Sequence, residues 1–413
     1  MATVTYRTPE LVLTEHTIDV PLDHADPGGA QISVFAREVA DPDGLDRPYL
    51  LFLQGGPGFE APRPTRRPAS PAWLDRALAE FRVVMLDQRG TGRSTPVGAL
   101  SDRPAVEQAA YLTYFRADAI VRDAEALRAH LEAPPWSVLG QSFGGFTLLS
   151  YLSQAPDGLR EALFTGGLPP IGNRIEDAYR ATYPRVIERS HRYYARYPGD
   201  RDRVDRIYAA IDADAGLRLP VGDRLTIPRV QQLGIMLGAS DGAEQLHYIL
   251  ELDPASPGFL HAVQDATSWG RNPLYALVHE ACWADGGSTR WAAERLFPAD
   301  YRNDPTLFTG EHVYPWMFDE IAALVPLRQA ADELADHAWP RLYDEQQLAR
   351  NDVPAAAVIF ADDMYVDRAL SEETAAAVRG LHPWVTTEFE HNALRSSGDQ
   401  LLDELIRVVR ARA

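Results

Sequence analysis

The sequence predicts a mostly parallel, doubly wound α/β sheet interrupted by a long helical insertion, and three observations carry that expectation. Short apolar runs at residues 48–53, 82–86, 136–139 and 355–360 suit buried strands, residues 159–167 read as a further strand, and helical stretches separate most of them. From about residue 168 to 352 the texture changes to helical segments, the first rich in arginine and tyrosine, with no buried strand between them. At residues 140–144 the pentapeptide Gly-Gln-Ser-Phe-Gly joins a strand directly to a helix. A chain of 413 residues, 46% of them hydrophobic, can bury the core that such a domain needs.

Taken in order, residues 11–22 and 31–38 alternate as strands do and flank Asp-Pro-Gly-Gly at 26–29, a turn signal. They are expected to form an antiparallel hairpin at a sheet edge. The strand at 48–53 empties into Gln-Gly-Gly-Pro-Gly at 54–58, and the strand at 82–86 into Asp-Gln-Arg-Gly-Thr-Gly-Arg-Ser at 87–94. Both loops are small-residue turns at strand carboxyl ends. Over 111–131 the positions Ile120, Ala124, Leu127 and Leu131 repeat at helical spacing, and the strand at 136–139 follows. A helix over 143–154 and the strand at 159–167 close the first half of the core. Strand, helix, strand, helix is the alternation of a doubly wound sheet.

Within the insertion, residues 175–197, 230–238, 243–252, 274–284 and 316–327 read as helices. The sheet resumes at 355–360, followed by a helix at 372–379, a last strand at 384–389 and a closing helix at 400–410. The expected division is therefore residues 1–167 and 353–413 for the core and 168–352 for a helical cap.

Glycine at Gly140 and Gly144 permits a turn too tight for a side chain, which holds Ser142 up at the strand's carboxyl end. This is the nucleophile elbow of the α/β-hydrolase fold, in which the backbone N–H of Phe143 faces an oxyanion formed at Ser142. A serine hydroxyl needs a histidine to take its proton and a carboxylate to fix that histidine's tautomer, and in this fold they follow in the order Ser, acid, His. Of eleven histidines, His391 follows the last strand and precedes the closing helix, with His382 as the rival base. The acid belongs just past the strand at 355–360. Asp362, Asp363 and Asp367 compete there, and Asp363 is preferred because it stands three residues beyond the last buried strand position. The loop at 54–58 offers a second oxyanion donor, the N–H of Gly56, and one such donor is typically worth ~3 kcal/mol. Asp87, Arg89 and Arg93 read as ties between neighbouring loops.

In their order and spacing, Gly-Gly-Pro-Gly at 55–58, Asp-Gln-Arg-Gly-Thr-Gly-Arg-Ser at 87–94 and Gly-Gln-Ser-Phe-Gly-Gly at 140–145 resemble the proline iminopeptidase (prolyl aminopeptidase) family of α/β-hydrolases, peptidase family S33. The resemblance runs over essentially the whole chain, whose length is similar to the family's longer branch. Two positions depart: Gln54 stands where the family usually has histidine, and Phe143 where it often has tryptophan. Neither change removes a backbone donor. The resemblance implies a serine exopeptidase that releases an amino-terminal residue, preferentially proline, from short peptides through a prolyl-enzyme ester, with no metal or organic cofactor. It also implies two cap glutamates against the substrate amine, and Glu280 and Glu311 resemble those positions.

A carboxylate pair in an aromatic pocket would hold a secondary ammonium by charge-assisted hydrogen bonds of ~1.5 to 3 kcal/mol each. An internal proline nitrogen, an uncharged amide, would be refused. Phe143, Tyr275, Trp283, Tyr314 and Trp316 could wall a proline ring or pack a core. Rival readings within the fold are hydrolysis of other peptide amino termini, amides or carboxylic esters; from a different class, ligand binding without turnover.

The formal charge of -19, with arginines scattered among the acids, offers no basic surface to nucleic acid and suits an amine-bearing ligand better. The single Cys282 excludes an intrachain disulfide and a cysteine-based metal cluster, as a reducing compartment permits. Residues 1–20 lack a basic start followed by an apolar stretch, and nothing approaches the ~18 apolar residues of a membrane span. A cytoplasmic protein without a membrane partner is expected, and no feature of the chain bears on oligomeric state.

Overall fold

The computed structural model describes residues 2–213 and 216–411. Nine strands form one sheet: β1 (Ala2–Arg7), β2 (Val12–Pro21), β3 (Gln31–Ala40), β4 (Tyr49–Leu53), β5 (Arg82–Asp87), β6 (Trp136–Gln141), β7 (Leu159–Thr165), β8 (Ala355–Phe360) and β9 (Leu381–Thr386). Their spatial order is β1-β2-β3-β5-β4-β6-β7-β8-β9. The pairs from β1 to β5 are antiparallel, and β5 through β9 run parallel. The sheet's first half thus descends through a hairpin meander, and its second half is built from crossovers.

The continuous apolar runs have a simple cause. Successive residues of a strand point to opposite faces, and here both faces are covered. On one face Leu51, Leu53, Val84, Leu86, Val138 and Phe164 pack against Ile120, Ala124 and Leu127 of α1 (Ala117–His130) and Leu148, Leu149 and Leu152 of α2 (Phe143–Gln154). On the other, Leu50, Phe52, Val83, Met85, Leu139 and Val358 pack against Trp73 and against Leu401, Leu405 and Ile406 of a closing helix, Gly398–Arg410.

Between β7 and β8 no strand of this sheet occurs among the described residues. The segment opens with α3 (Ile175–Arg196) and includes α4 (Pro273–Cys282). Part of it, around Val204, Leu233, Leu246, Phe259 and Phe308, has its own apolar cluster, while Leu274, Trp283 and Leu324 join the cluster on the sheet's face. No helix is long and apolar enough to cross a membrane among the described residues.

Four local expectations are corrected. The hairpin of β2 and β3 is not the edge, because β1 pairs outside it; all six residues of β1 are exposed, so burial imposes no pattern on them. The helix expected over 111–131 is two, Ala105–Leu112 and α1. Between them the Tyr114 carbonyl accepts from the Arg89 guanidinium at 2.8 Å instead of continuing a helix. Residues 316–327 contain only a short helix, Met317–Glu320, and a 3₁₀ turn entered through Pro326. The last strand starts three residues earlier than expected and takes in Pro383, which an edge strand tolerates.

Candidate active site

β6 delivers Ser142 to the corner before α2. Ser142 adopts φ 53° and ψ -123°, a strained conformation for any residue with a side chain. The flanking glycines are demanded by contact: a Cβ on Gly140 would lie 2.5 Å from the Gly144 carbonyl oxygen, and one on Gly144 2.0 Å from that of Leu53. The loop after β4 presses on the same corner, since a Cβ on Gly55 would meet the Cβ of Ser142 at 3.0 Å. Asn272, just ahead of α4, donates its amide to the Gly58 carbonyl at 2.9 Å and so ties that loop to the helical segment.

His391 lies in the loop after β9. Its Nε2 is 3.0 Å from the Ser142 Oγ, and its Nδ1 is 2.7 Å from Oδ2 of Asp363. Asp363 is fixed in turn, because its Oδ1 accepts from the backbone N–H of Tyr365 at 2.8 Å and of Val366 at 3.2 Å. Burial alone draws the His391 pKa down, but the Asp363 carboxylate outweighs it and leaves the imidazole raised. The competing acids are engaged elsewhere. Asp362 is exposed and paired with Arg192, whose hydrogen bond lowers its pKa. Asp367 caps the helix Arg368–Ala377 and pairs with Arg185. His382 sits on β9 opposite Ala356, at the amino end of the parallel strands and so at the far side of the sheet from Ser142.

Ser142 and His391 open onto a cavity of about 430 Å³ that also includes Gly55, Gly56 and Glu311 in its wall, while Asp363 lies buried behind His391. Of the two glutamates singled out in the sequence, the structure brings Glu311 to this cavity and not Glu280. The Glu280 carboxylate accepts from the backbone N–H of Ala292 at 3.2 Å and of Ala293 at 2.9 Å, the start of a short helix. Burial pushes Glu280 up to about 7, those donors opposing it.

Glu311 has no hydrogen-bond or ion-pair partner among the described residues, and burial pushes it up to about 8. Behind it a smaller cavity is lined by Tyr179, His279, Trp283 and His312. Burial holds both of those histidines near a pKa of about 3, neutral at ordinary pH, so neither supplies a counter-charge. At neutral pH the carboxyl of Glu311 is therefore largely protonated.

Of the five aromatic residues expected to wall the site or pack the core, Tyr275 lines the cavity, stacked on Trp269 at 4.3 Å between ring centroids. Phe143, buried, packs edge-on to Phe146, and Trp283 packs on that same ring. Tyr314 is buried with its hydroxyl 3.1 Å from that of Tyr183, and Trp316 stacks on Tyr314. Sequence reasoning missed Phe59, Trp73, Trp269 and Tyr365 in the wall. Tyr365 stood next to the acidic cluster in the sequence, which could have flagged it; its ring meets His391 edge-on at 4.8 Å.

The 87–94 loop is structural. Asp87 accepts from both terminal nitrogens of Arg63 and from the N–H of Ala61 and Arg93. Arg89, fully buried, grips Asp123 at 2.7 and 2.6 Å and donates to three backbone carbonyls. Cys282 is buried and unpaired. No group of three or more His, Cys, Asp or Glu is placed to hold a metal ion among the described residues.

Residues 48–210 match the family described as the alpha/beta hydrolase fold. The chain is 46% identical over 411 residues to a protein named proline iminopeptidase from Aeromonas sobria, covering 96% of each chain. It is 35% identical over 419 residues to a proline iminopeptidase of Aspergillus aculeatus, covering 95% of this chain and 92% of that one. A proline iminopeptidase of Arabidopsis thaliana is 30% identical over 152 residues, 36% of this chain and 34% of that one.

Proposed function

Because the chain belongs to the proline iminopeptidase family of α/β-hydrolases, we propose that it releases an amino-terminal residue, preferentially proline, from short peptides as a serine exopeptidase. Ser142 attacks the carbonyl of the first residue while His391 accepts its proton, and Asp363 holds the imidazole in the tautomer that can do so. The N–H groups of Phe143 and Gly56 receive the oxyanion. His391 returns the proton to the departing amine, and water, activated by the same imidazole, hydrolyses the prolyl ester.

The observation that carries this reading is the pairing of that relay with an unpartnered, largely buried carboxyl in the same cavity. Glu311 recognises the secondary ammonium, and the arriving cation shifts Glu311 to its ionised form. A peptide whose proline is internal brings no charge and leaves Glu311 unsatisfied, which makes the enzyme an exopeptidase. Residues 168–352 act as the cap that carries Glu311 and Tyr275 over the strands' carboxyl ends. With its one cysteine buried, the protein is suited to the cytoplasm.

The test is a comparison of substrates. A prolyl-arylamide is cleaved, its N-blocked counterpart is cleaved at least 10²-fold more slowly, roughly the worth of one charge-assisted contact plus exclusion of the blocking group, and Ser142→Ala abolishes both activities. Equal rates on blocked and free substrates overturn the amine-reading role, and a simple aryl ester as the best substrate favours an esterase.

A further inference from the structure

This chain has no lysine: its 40 arginines are set against 59 acids, and many are tied to one, as Arg89 is to Asp123, Arg185 to Asp367, Arg189 to Glu390 and Arg229 to Asp223. The wall of the active-site cavity departs from that economy. Among the described residues, its only acid is Glu311 and its only arginine is Arg395. Arg395 sits on the short helix Ala393–Ser396, four residues beyond His391, and is exposed. Its guanidinium makes no hydrogen bond or ion pair with any described side chain or carbonyl, while the neighbouring Glu390 is occupied by Arg189 and Asn392 by Ser240. The cavity therefore has a carboxyl at its inner end, next to the smaller cavity behind, and a free guanidinium at its mouth.

A short peptide in solution carries the mirror image of this arrangement, an ammonium at one end and a carboxylate at the other. Each residue spans at most about 3.5 Å, so in a dipeptide or tripeptide the two charges stay within the reach of one pocket. Resting on the exopeptidase reading above, we propose that Arg395 reads the substrate's free carboxylate and makes dipeptides and tripeptides with an unblocked carboxyl end the preferred substrates. A guanidinium is suited to this role because its planar fork matches a carboxylate through two parallel hydrogen bonds. Its exposure is consistent with a contact made at the rim, where the peptide's far end emerges. A longer peptide carries its carboxylate past the mouth and forfeits the contact.

Initial rates on prolylglycine, prolylglycinamide and a prolyl-arylamide, for the wild type and for Arg395→Ala and Arg395→Lys, test the assignment. In the wild type, kcat/KM for the free acid exceeds that for the amide by about 10- to 100-fold, the factor that one charge-assisted hydrogen bond supplies. The difference appears mainly in KM, since the contact is remote from the reacting carbonyl. Arg395→Ala brings the acid-to-amide ratio to about one, and Arg395→Lys restores part of it. The ratio is insensitive to damage at the triad or at Glu311, because both dipeptide substrates use them alike. A wild-type ratio near one, or a ratio that survives Arg395→Ala, overturns the proposal while leaving the exopeptidase intact. Failure of the wild type to cleave the arylamide overturns both.

Discussion

Replacing Glu311 with glutamine should move stability and activity in opposite directions. The carboxyl is pushed up to about 8 by burial, from an ordinary 4.5. Each tenfold in proton affinity is worth about 1.4 kcal/mol, so ionising Glu311 in the folded state costs at most about 5 kcal/mol relative to the unfolded chain. Contact with solvent in the cavity reduces this to roughly 2 to 3 kcal/mol.

Below pH 4.5 the group is protonated in both states and contributes nothing. As pH rises from 4.5 to about 8 the unfolded chain gives up its proton while the folded chain keeps it, so the wild type loses stability across that window. Above about 8 the loss is complete. Glu311→Gln lacks this liability and should exceed the wild type by about 2 kcal/mol at pH 9 and match it at pH 4, as read by denaturant unfolding at the two pH values. Its kcat/KM on a prolyl-arylamide should fall about 10- to 150-fold, the loss of one charge-assisted contact to the ammonium. A variant as active as the wild type would refute the reasoning, as would one whose stability advantage is the same at both pH values.

Four further outcomes are expected. Ser142→Gly removes the nucleophile and also the strain of its positive φ, so it should be inactive yet about 1 kcal/mol more stable in thermal denaturation. Asp363→Asn should lower kcat by roughly 10⁴-fold through the wrong imidazole tautomer. Asp367→Ala, by contrast, loses a helix cap and an ion pair and should destabilise by about 1 to 2 kcal/mol in urea unfolding, with kcat reduced far less than by Asp363→Asn. Arg89→Met removes the guanidinium from buried Asp123, leaving it only His24, and should cost about 3 kcal/mol in the same measurement.

The sheet was legible because strands such as β4 and β8 are covered on both faces, and covering both faces leaves a run of apolar residues with no polar interruption. Ser142 was legible for a related reason. The backbone at Gly140 and Gly144 is so crowded that only glycine fits, and that constraint is written within five residues. The order in which this fold presents its strand ends pointed to the loops that carry Asp363 and His391, but Asp362, Asp367 and His382 stayed as rivals that only the hydrogen bonds of the folded chain set aside.

The chain alone determined which residues must be buried in strands and where the backbone turns at Ser142, since those depend on burial and sterics between near neighbours. Tertiary structure decided where side chains on the helical segment point. Glu280 and Glu311 look equivalent in the sequence, yet one answers two backbone N–H groups twelve and thirteen residues on, and the other faces the cavity. Likewise the Tyr114 carbonyl at the break before α1 is taken by Arg89, a residue of another loop, and Trp269 and Arg395 reach the site from segments 126 residues apart. The direction a side chain takes depends on partners far away along the chain, and local pattern carries no record of them.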